Sequence, residues 1–244
     1  MNEIKLYKNY IFCFFSRNRE ISKHKFASLN CAYNKGESDS IIKKNRNFTS
    51  YYLNKKKIIL ANQVHSNIVS YVDGNFCKDK YSDAMITSKK DILLGILTAD
   101  CAPIIVLGKK QFGIIHAGWK GLINGIIENT IKKFDLLGEK VNDLKVFVGP
   151  HLSMDSFEVK SDFVENIEKK IKNYENFIEN KRQKKFFNFS GLIESKLIDL
   201  KITDYDISKE NTFASPEKFF SHRYCYINKI KNCGRQISLV GIKK

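Results

Sequence analysis

A single domain mixing short buried strands with amphipathic helices is the fold class this sequence predicts, and three observations predict it. The hydrophobic period changes within the most apolar stretch, Leu94 to Asn129, from runs of strand length to helical spacing. The chain of 244 residues holds only three prolines and shows no Ser/Gly-rich linker, no repeat and no abrupt shift in composition, so residues 1–244 read as one domain. Finally, no apolar segment approaches the ~20 residues that a spanning helix needs. The YIFCFF run near the start is too short for a signal-peptide core, and a cytoplasmic protein without a membrane segment is expected.

In chain order, Ile11 to Phe15 reads as a first strand. The basic NREISKHK loop follows, and then a turn-rich stretch with Ser28, Asn30 and Asn34. Ile41 begins a helix through Asn45, and Lys57 to Ala61 is a strand running into Gln63, Val64 and His65. Gly95 to Thr98 and Pro103 to Leu107 have the length and β-branching of buried strands, Lys109 and Lys110 make a turn, and Phe112 to Ile115 runs back. Leu122, Ile123, Ile126, Ile127, Thr130, Ile131 and Phe134 then recur at helical spacing, with Gly121 opening the helix and Gly138 placed as its C-cap. Val141 to Val148 is a further strand. Asp162 and Glu165 stand at capping-box spacing before a helix whose inner face is Phe163, Ile167 and Ile171. Tyr174 to Lys185 is charged and aperiodic and reads as a mobile connection. Leu192, Ile193, Leu197, Leu200 and Ile202 give another amphipathic helix, and FFSHRYCY with GRQISLVGI reads as a closing hairpin.

The residues with chemistry cluster around the central stretch. Cys101 and His116 are fifteen positions apart, each set among small or apolar residues at a strand end, which brings them close in space. With His65 they make two imidazoles and one thiolate, a sensible zinc set with one coordination position left for water or substrate. The spacing is not that of a compact finger, so the residues alone leave open a metal site, a Cys101–His116 nucleophile and base pair, and satisfied structural histidines. Asp83 and Asp100 lie beside the same strands as orienting or proton-accepting carboxylates, with Asp100 the stronger candidate. Arg17 and Arg46 are anion forks only if their loops fold over the site. His24 reads as a solvated surface residue, and His222 as part of a sheet surface.

Six cysteines without a CxxC pair are expected to remain thiols. A formal charge of +16 raises nucleic acid as a partner, but the lysines are scattered among asparagines and isoleucines, the pattern of a solvated surface. An anionic small substrate is favoured by that field.

QVHS at 63–66, DAMIT at 83–87, TADC at 98–101, HAGWKG at 116–121, GPHLSMDSFEV at 149–159 and GRQISLVGI at 234–242 together resemble the YfiH or laccase-domain family. It is also called the multicopper polyphenol oxidase family, and some bacterial members are called peptidoglycan editing factors. FFSR and SLN near the start and FFSHR near the end extend the resemblance over nearly the whole chain. It implies an α+β fold, a sandwich of packed β-sheets flanked by helices, with zinc held by His65, Cys101 and His116. It also implies purine nucleoside chemistry: phosphorolysis of adenosine, inosine, guanosine and methylthioadenosine, and hydrolytic deamination of adenosine. On this reading a zinc ion lowers the pKa of its water to near ~7. Asp100 assists proton transfer, Trp119 stacks on the purine, and Gln63, Arg17 and Arg46 complete the substrate site, the arginines as a phosphate clamp. The partners implied are nucleosides and inorganic phosphate.

The chain departs from the family pattern at four places. Asn18, Arg19 and Glu20 replace a usual Gly-Gly pair, Lys120 replaces arginine, His151 replaces a cysteine after Gly-Pro, and Asn211 replaces another cysteine. Copper oxidase chemistry is disfavoured, since multicopper sites need about ten histidines and the chain has five. A peptidoglycan-precursor amidase, a metal-free Cys101/His116 hydrolase and a binding module without catalysis are the rival readings.

Overall fold

The computed structural model describes all residues except 1–2, 18–27, 55, 74–80 and 244. His24 and the Asn18–Glu20 departure therefore lie outside the described residues. In chain order the elements are β1 (Lys5–Tyr7), β2 (Tyr10–Phe14), α1 (Asp39–Tyr52), β3 (Lys57–Leu60), β4 (Val69–Tyr71), β5 (Ala84–Thr87), β6 (Ile92–Thr98), β7 (Ala102–Leu107) and β8 (Phe112–Ala117). They continue with α2 (Trp119–Ile123), α3 (Ile126–Leu136), β9 (Lys145–Val148), β10 (Glu158–Val159), α4 (Ser161–Glu168), β11 (Ile178–Lys181) and β12 (Lys184–Phe187). Helix α5 (Phe189–Asp199), β13 (Asp204–Ile207), α6 (His222–Ile227) and β14 (Gln236–Ile242) close the chain.

Two sheets form a sandwich, one ordered β1-β2-β14-β6-β3 and the other β13-β9-β7-β8-β5-β4. Phe12, Leu94, Ile96 and Val240 of the first meet Ile105, Leu107, Phe112 and Ile114 of the second in one shared core. The residues between them in sequence point the other way, because side chains alternate along a strand. Ile104, Val106, Ile115 and Val146 pack under α3 and α5, while Cys13, Leu93 and Leu239 face Leu29, Cys31 and Leu53. Both faces of β7 and β8 are thus buried, which is why these strands read as continuous apolar runs. The expected α+β sandwich flanked by helices is the observed architecture.

The β7–β8 turn is held by a buried carboxylate: Glu139 accepts the backbone N–H groups of Lys109, Lys110 and Gln111 at 2.7 to 2.8 Å. This fixes the register that pairs Pro103 with His116.

Several elements differ from the sequence expectation. The helix after His116 starts earlier, at Trp119 behind Gly118, and breaks at Gly125, whose φ of 89° no α-helix accommodates. Gly138 does take the left-handed turn expected of it. Helix α1 runs on to Tyr52 because polar Asn45 and Thr49 occupy its inner face; Asn45 donates to the carbonyl oxygens of Ser28 and Asn30. The first part of the expected 141–148 strand is a 3₁₀ turn, Val141–Asp143. Helix α4 has no side-chain cap, so the Asp162/Glu165 spacing makes no capping box, and Ile171 lies beyond its end. The 174–185 stretch is largely the β11–β12 hairpin, not a mobile connection. FFSHRYCY ends in α6, capped by the Ser221 hydroxyl that accepts from the Tyr224 N–H, so β14 has no hairpin partner there and pairs with β2 and β6 instead.

Candidate active site

The site forms where the two sheets are linked. The chain leaves β6 in the first sheet at Thr98, passes Asp100 and Cys101, and enters β7 in the second. His116 comes from the end of β8, opposite Pro103, and His65 from the loop between β3 and β4. Their ligand atoms all lie within 4.8 Å of one another. The His65 and His116 rings stand edge to face at 4.8 Å, and His65 Nε2 is 3.8 Å from Cys101 Sγ.

Asp83 organises this set. It is fully buried just before β5, and one oxygen lies 2.7 Å from His116 Nδ1. The same carboxylate accepts from the backbone N–H groups of Val64, His65 and Ser66 and from the Ser66 hydroxyl. One residue therefore fixes the tautomer of His116, leaving Nε2 to face Cys101, and shapes the loop that presents His65, whose φ is 60°. Burial alone would raise the Asp83 pKa, but the bonds from His116 and Ser66 outweigh it and hold the carboxyl well below its ordinary range. Burial likewise opposes charge on the other two groups. The attraction between them prevails, bringing the Cys101 thiol down to about 6 and raising His116 to about 9. The sequence placed Asp83 second to Asp100 as a partner of the centre, and the geometry reverses that order.

Gly118 makes the close packing possible. A Cβ there would fall 2.6 Å from the His65 ring and 3.3 Å from Cys101 Sγ.

The donors His65 and Cys101 line a cavity of about 650 Å³, within the range of small-molecule sites. Trp119, Leu152, Phe157 and Phe189 give it an apolar side, and Asp100, Lys120, His222 and Arg223 a polar one. Asp100 adopts φ 88°, and its carboxylate accepts from the Thr212 hydroxyl at 2.7 Å and the Arg223 N–H at 2.6 Å. Arg223 also donates to the Glu158 carbonyl and lies over the Phe157 ring, 5.7 Å from its centroid. Trp119 packs on Phe163 at 4.7 Å.

Of the expected substrate residues, only Trp119 lines this cavity. Gln63 pairs through both ends of its amide with the backbone of Leu97, extending the sheet. The Arg17 guanidinium donates to the Pro216 carbonyl and lies on Phe220, and that of Arg46 donates to Cys31 and lies on Tyr33. The structure brings none of these three to the centre. The cationic groups it does bring are Lys120 and Arg223, with the His222 imidazole beside them, its pKa lowered by burial. The reading of His222 as a sheet surface rested on a strand that is in fact α6. HAGWKG and FFSHR, both quoted from sequence, carried the signal.

The donor set fits a single metal ion: two imidazoles and one thiolate, one ring oriented by a buried carboxylate. A two-sheet sandwich with this set in the wall of a concave cavity defines a class, the α+β domain with a potential mononuclear metal centre. The chain belongs to the family described as multi-copper polyphenol oxidoreductase laccase, whose sequence pattern it matches over residues 11–243. It is 29% identical over 245 residues to a purine nucleoside phosphorylase of Rickettsia prowazekii, covering 99% of this chain and 100% of the relative. To a purine nucleoside phosphorylase of Rickettsia conorii it is 30% identical, covering 87% and 88%. In fold it superposes on a Neisseria meningitidis protein with a TM-score of 0.86 at 21% identity, covering 100% of this chain and 99% of that one. Bacillus licheniformis YfiH gives 0.84 at 22%, covering 96% and 93%. Among the described residues no helix is long and apolar enough to cross a membrane.

Proposed function

We propose that this protein is a zinc-dependent purine nucleoside phosphorylase that acts in the cytoplasm, with residues 1–244 as one catalytic domain. The observation that carries the reading is the His65–Cys101–His116 set opening onto a cavity with aromatic rings on one side and cations on the other. The names borne by the Rickettsia relatives support the same substrates.

Zinc suits the donors better than copper does. A blue-copper site adds a weak axial ligand, most often methionine, to His₂Cys, and among the described residues no methionine lines the cavity. When bound, zinc supplies Lewis-acid charge. The remaining chemistry belongs to the chain. Trp119 and Phe157 offer flat apolar surface to a purine. Lys120 and Arg223 attract phosphate, one of whose oxygens bonds to ribose C1′ as the C1′–N bond breaks and the purine leaves with its electron pair. The departing base takes a proton from the attacking phosphate, and the Asp100 carboxylate, fixed by Thr212 and Arg223, assists that transfer. Asp83 keeps His116 oriented throughout. Adenosine, inosine, guanosine and methylthioadenosine are the proposed substrates, and hydrolytic deamination of adenosine is proposed at the same centre.

The test is metal content by mass spectrometry of wild type and Cys101→Ala, with product analysis on adenosine and phosphate. About one zinc per chain, lost in the variant, with adenine and ribose 1-phosphate formed by wild type alone, is the expected result. Inosine appearing without phosphate reports deamination. Zinc without any purine product shifts the reading to hydrolysis of a peptidoglycan precursor, and protein without metal but inactivated by thiol alkylation shifts it to a Cys101/His116 hydrolase.

A further inference from the structure

We propose that Cys225 and Cys233 form a reversible disulfide site that fastens α6, and with it one wall of the cavity, to the segment leading into β14. Cys225 lies on the same short helix that carries His222, Arg223 and Tyr226 to the cavity. Its side chain packs against a small cluster of Ala99, Phe220 and Cys233. The Cys233 thiol donates to the Ser221 carbonyl at 3.3 Å, at the cap of α6, and is within hydrogen-bonding reach of Cys225. The cluster sits directly behind the site, since Ala99 precedes Asp100, whose carboxylate holds the Arg223 N–H. The two cysteines thus connect the cavity wall to the core strand β14 through a side-chain contact already made.

Their environments assign the order of chemistry. Cys225 is partly exposed, whereas Cys233 is buried and its thiol is pushed up to about 12, by burial first and by Cys225 second. A hydroperoxide reaches Cys225 first. The Cys225 sulfur bonds to one peroxide oxygen, the O–O bond breaks, an alcohol or water leaves, and Cys225 becomes a sulfenic acid. The Cys233 sulfur then displaces the hydroxyl, which departs as water with the Cys233 proton, and the S–S bond forms. The peroxide has gained two electrons and the dithiol has lost two. A dithiol reverses the bond by exchange. Bonding draws the sulfurs to ~2.0 Å, and the exposed residues 226–232 between the cysteines can absorb the shift.

The test uses the reduced full-length protein, treated with a small excess of hydrogen peroxide, alkylated with iodoacetamide and digested with trypsin. Cleavage after Arg223, Lys229, Lys231 and Arg235 places the two cysteines in separate peptides, Tyr224–Lys229 and Asn232–Arg235. The expected product is this pair joined with the loss of two hydrogens and released by dithiothreitol. In Cys233→Ser, Cys225 should instead be trapped as a sulfenic acid by dimedone. Amide exchange within Tyr224–Lys229 should slow by about tenfold in the linked protein. Recovery of both cysteines alkylated while Cys101 is oxidised overturns the proposal, as does a dimedone-labelled Cys225 in wild type without the linked pair. Unchanged exchange in α6 overturns the fastening.

Discussion

At the scale of single residues, Asp83 makes the most demanding claim. Its carboxylate serves His116 and the backbone that carries His65 together, so Asp83→Asn should weaken zinc affinity by about 10- to 100-fold. Competition with a chromophoric chelator measures this, and affinity equal to wild type would show that the bond to His116 does not orient a ligand. Gly118→Ala tests the packing of the same centre. The added methyl enters the His65 ring and cannot be absorbed by a rotamer of its own, so metal binding should fall while the secondary structure seen by circular dichroism persists. His151 gives the pH dependence. It is buried between the Gly149 carbonyl and the Ser190 hydroxyl, at 2.8 and 2.7 Å. Because the carbonyl only accepts, Nδ1 carries the proton and Nε2 receives the Ser190 hydroxyl. Burial lowers the His151 pKa below its ordinary value, so the folded protein binds fewer protons at this site than the unfolded chain does. The contribution is present above the unfolded value of ~6.5 and is lost as pH falls through the lower folded value, with a slope of at most ~1.4 kcal/mol per pH unit. Urea unfolding of wild type and His151→Gln between about pH 7.5 and about pH 5 (about 1 unit above and about 1.5 units below that value) should show the difference between them shrinking toward acid.

At the scale of elements, the β11–β12 hairpin shows why part of the fold escaped a reading of the sequence. Its turn places Arg182 and Gln183 at φ 49° and 62°, the left-handed pair of a type I′ turn, where Asn-Gly is the usual signal. Two long polar residues conceal the turn, and the lysines around it conceal the strands. The double substitution Arg182→Asn with Gln183→Gly should therefore stabilise the protein, by about 0.5–1 kcal/mol in thermal or urea unfolding. No gain would mean that tertiary contacts already hold the turn. Helix α6 escaped for a different reason. Its six residues are too few for a period to show, and the Ser221 cap that starts it becomes a signal only once the strand reading of FFSHRYCY is set aside. By contrast β7 and β8 were legible, because burial on both faces leaves unbroken apolar runs with polar turn residues between them. The centre was legible in part for the same reason: Cys101 and His116 are the polar interruptions of those runs. Arg17, Arg46 and Gln63 stand away from the centre because each side chain is spent on backbone groups or a ring. Proximity along the chain does not say which way a side chain turns.

At the scale of the whole molecule, the donors join two sheets that meet mainly through apolar packing, with a few polar ties such as the Tyr10 hydroxyl donating to the Gly108 carbonyl. Cys101 sits on the link from β6 in one sheet to β7 in the other, His116 belongs to β8 of the second sheet, and His65 lies on the loop leaving β3 of the first. An ion held by all three would tie the two halves of the sandwich together, and would do so only in the folded chain, where residues 36 and 15 positions apart in sequence converge. By mass action, binding to the folded state alone stabilises it by RT ln(1 + [L]/Kd), or about 2.7 kcal/mol at a hundredfold excess over Kd. A protein of this size gains ~2–4 °C in Tm for each kcal/mol. Adding zinc to chelator-stripped protein should therefore raise the melting temperature by about 5–10 °C, with further gains logarithmic in free zinc. Cys101→Ala should lose most of that response while its metal-free melting temperature stays close to that of the stripped wild type, because the side chain removed lies at the cavity wall and not in the shared core. A zinc-dependent rise of equal size in the variant would place the stabilising ion elsewhere on the surface. A stripped protein that melts without cooperativity would show instead that the sandwich does not close without its metal, and that folding and metal binding are one step.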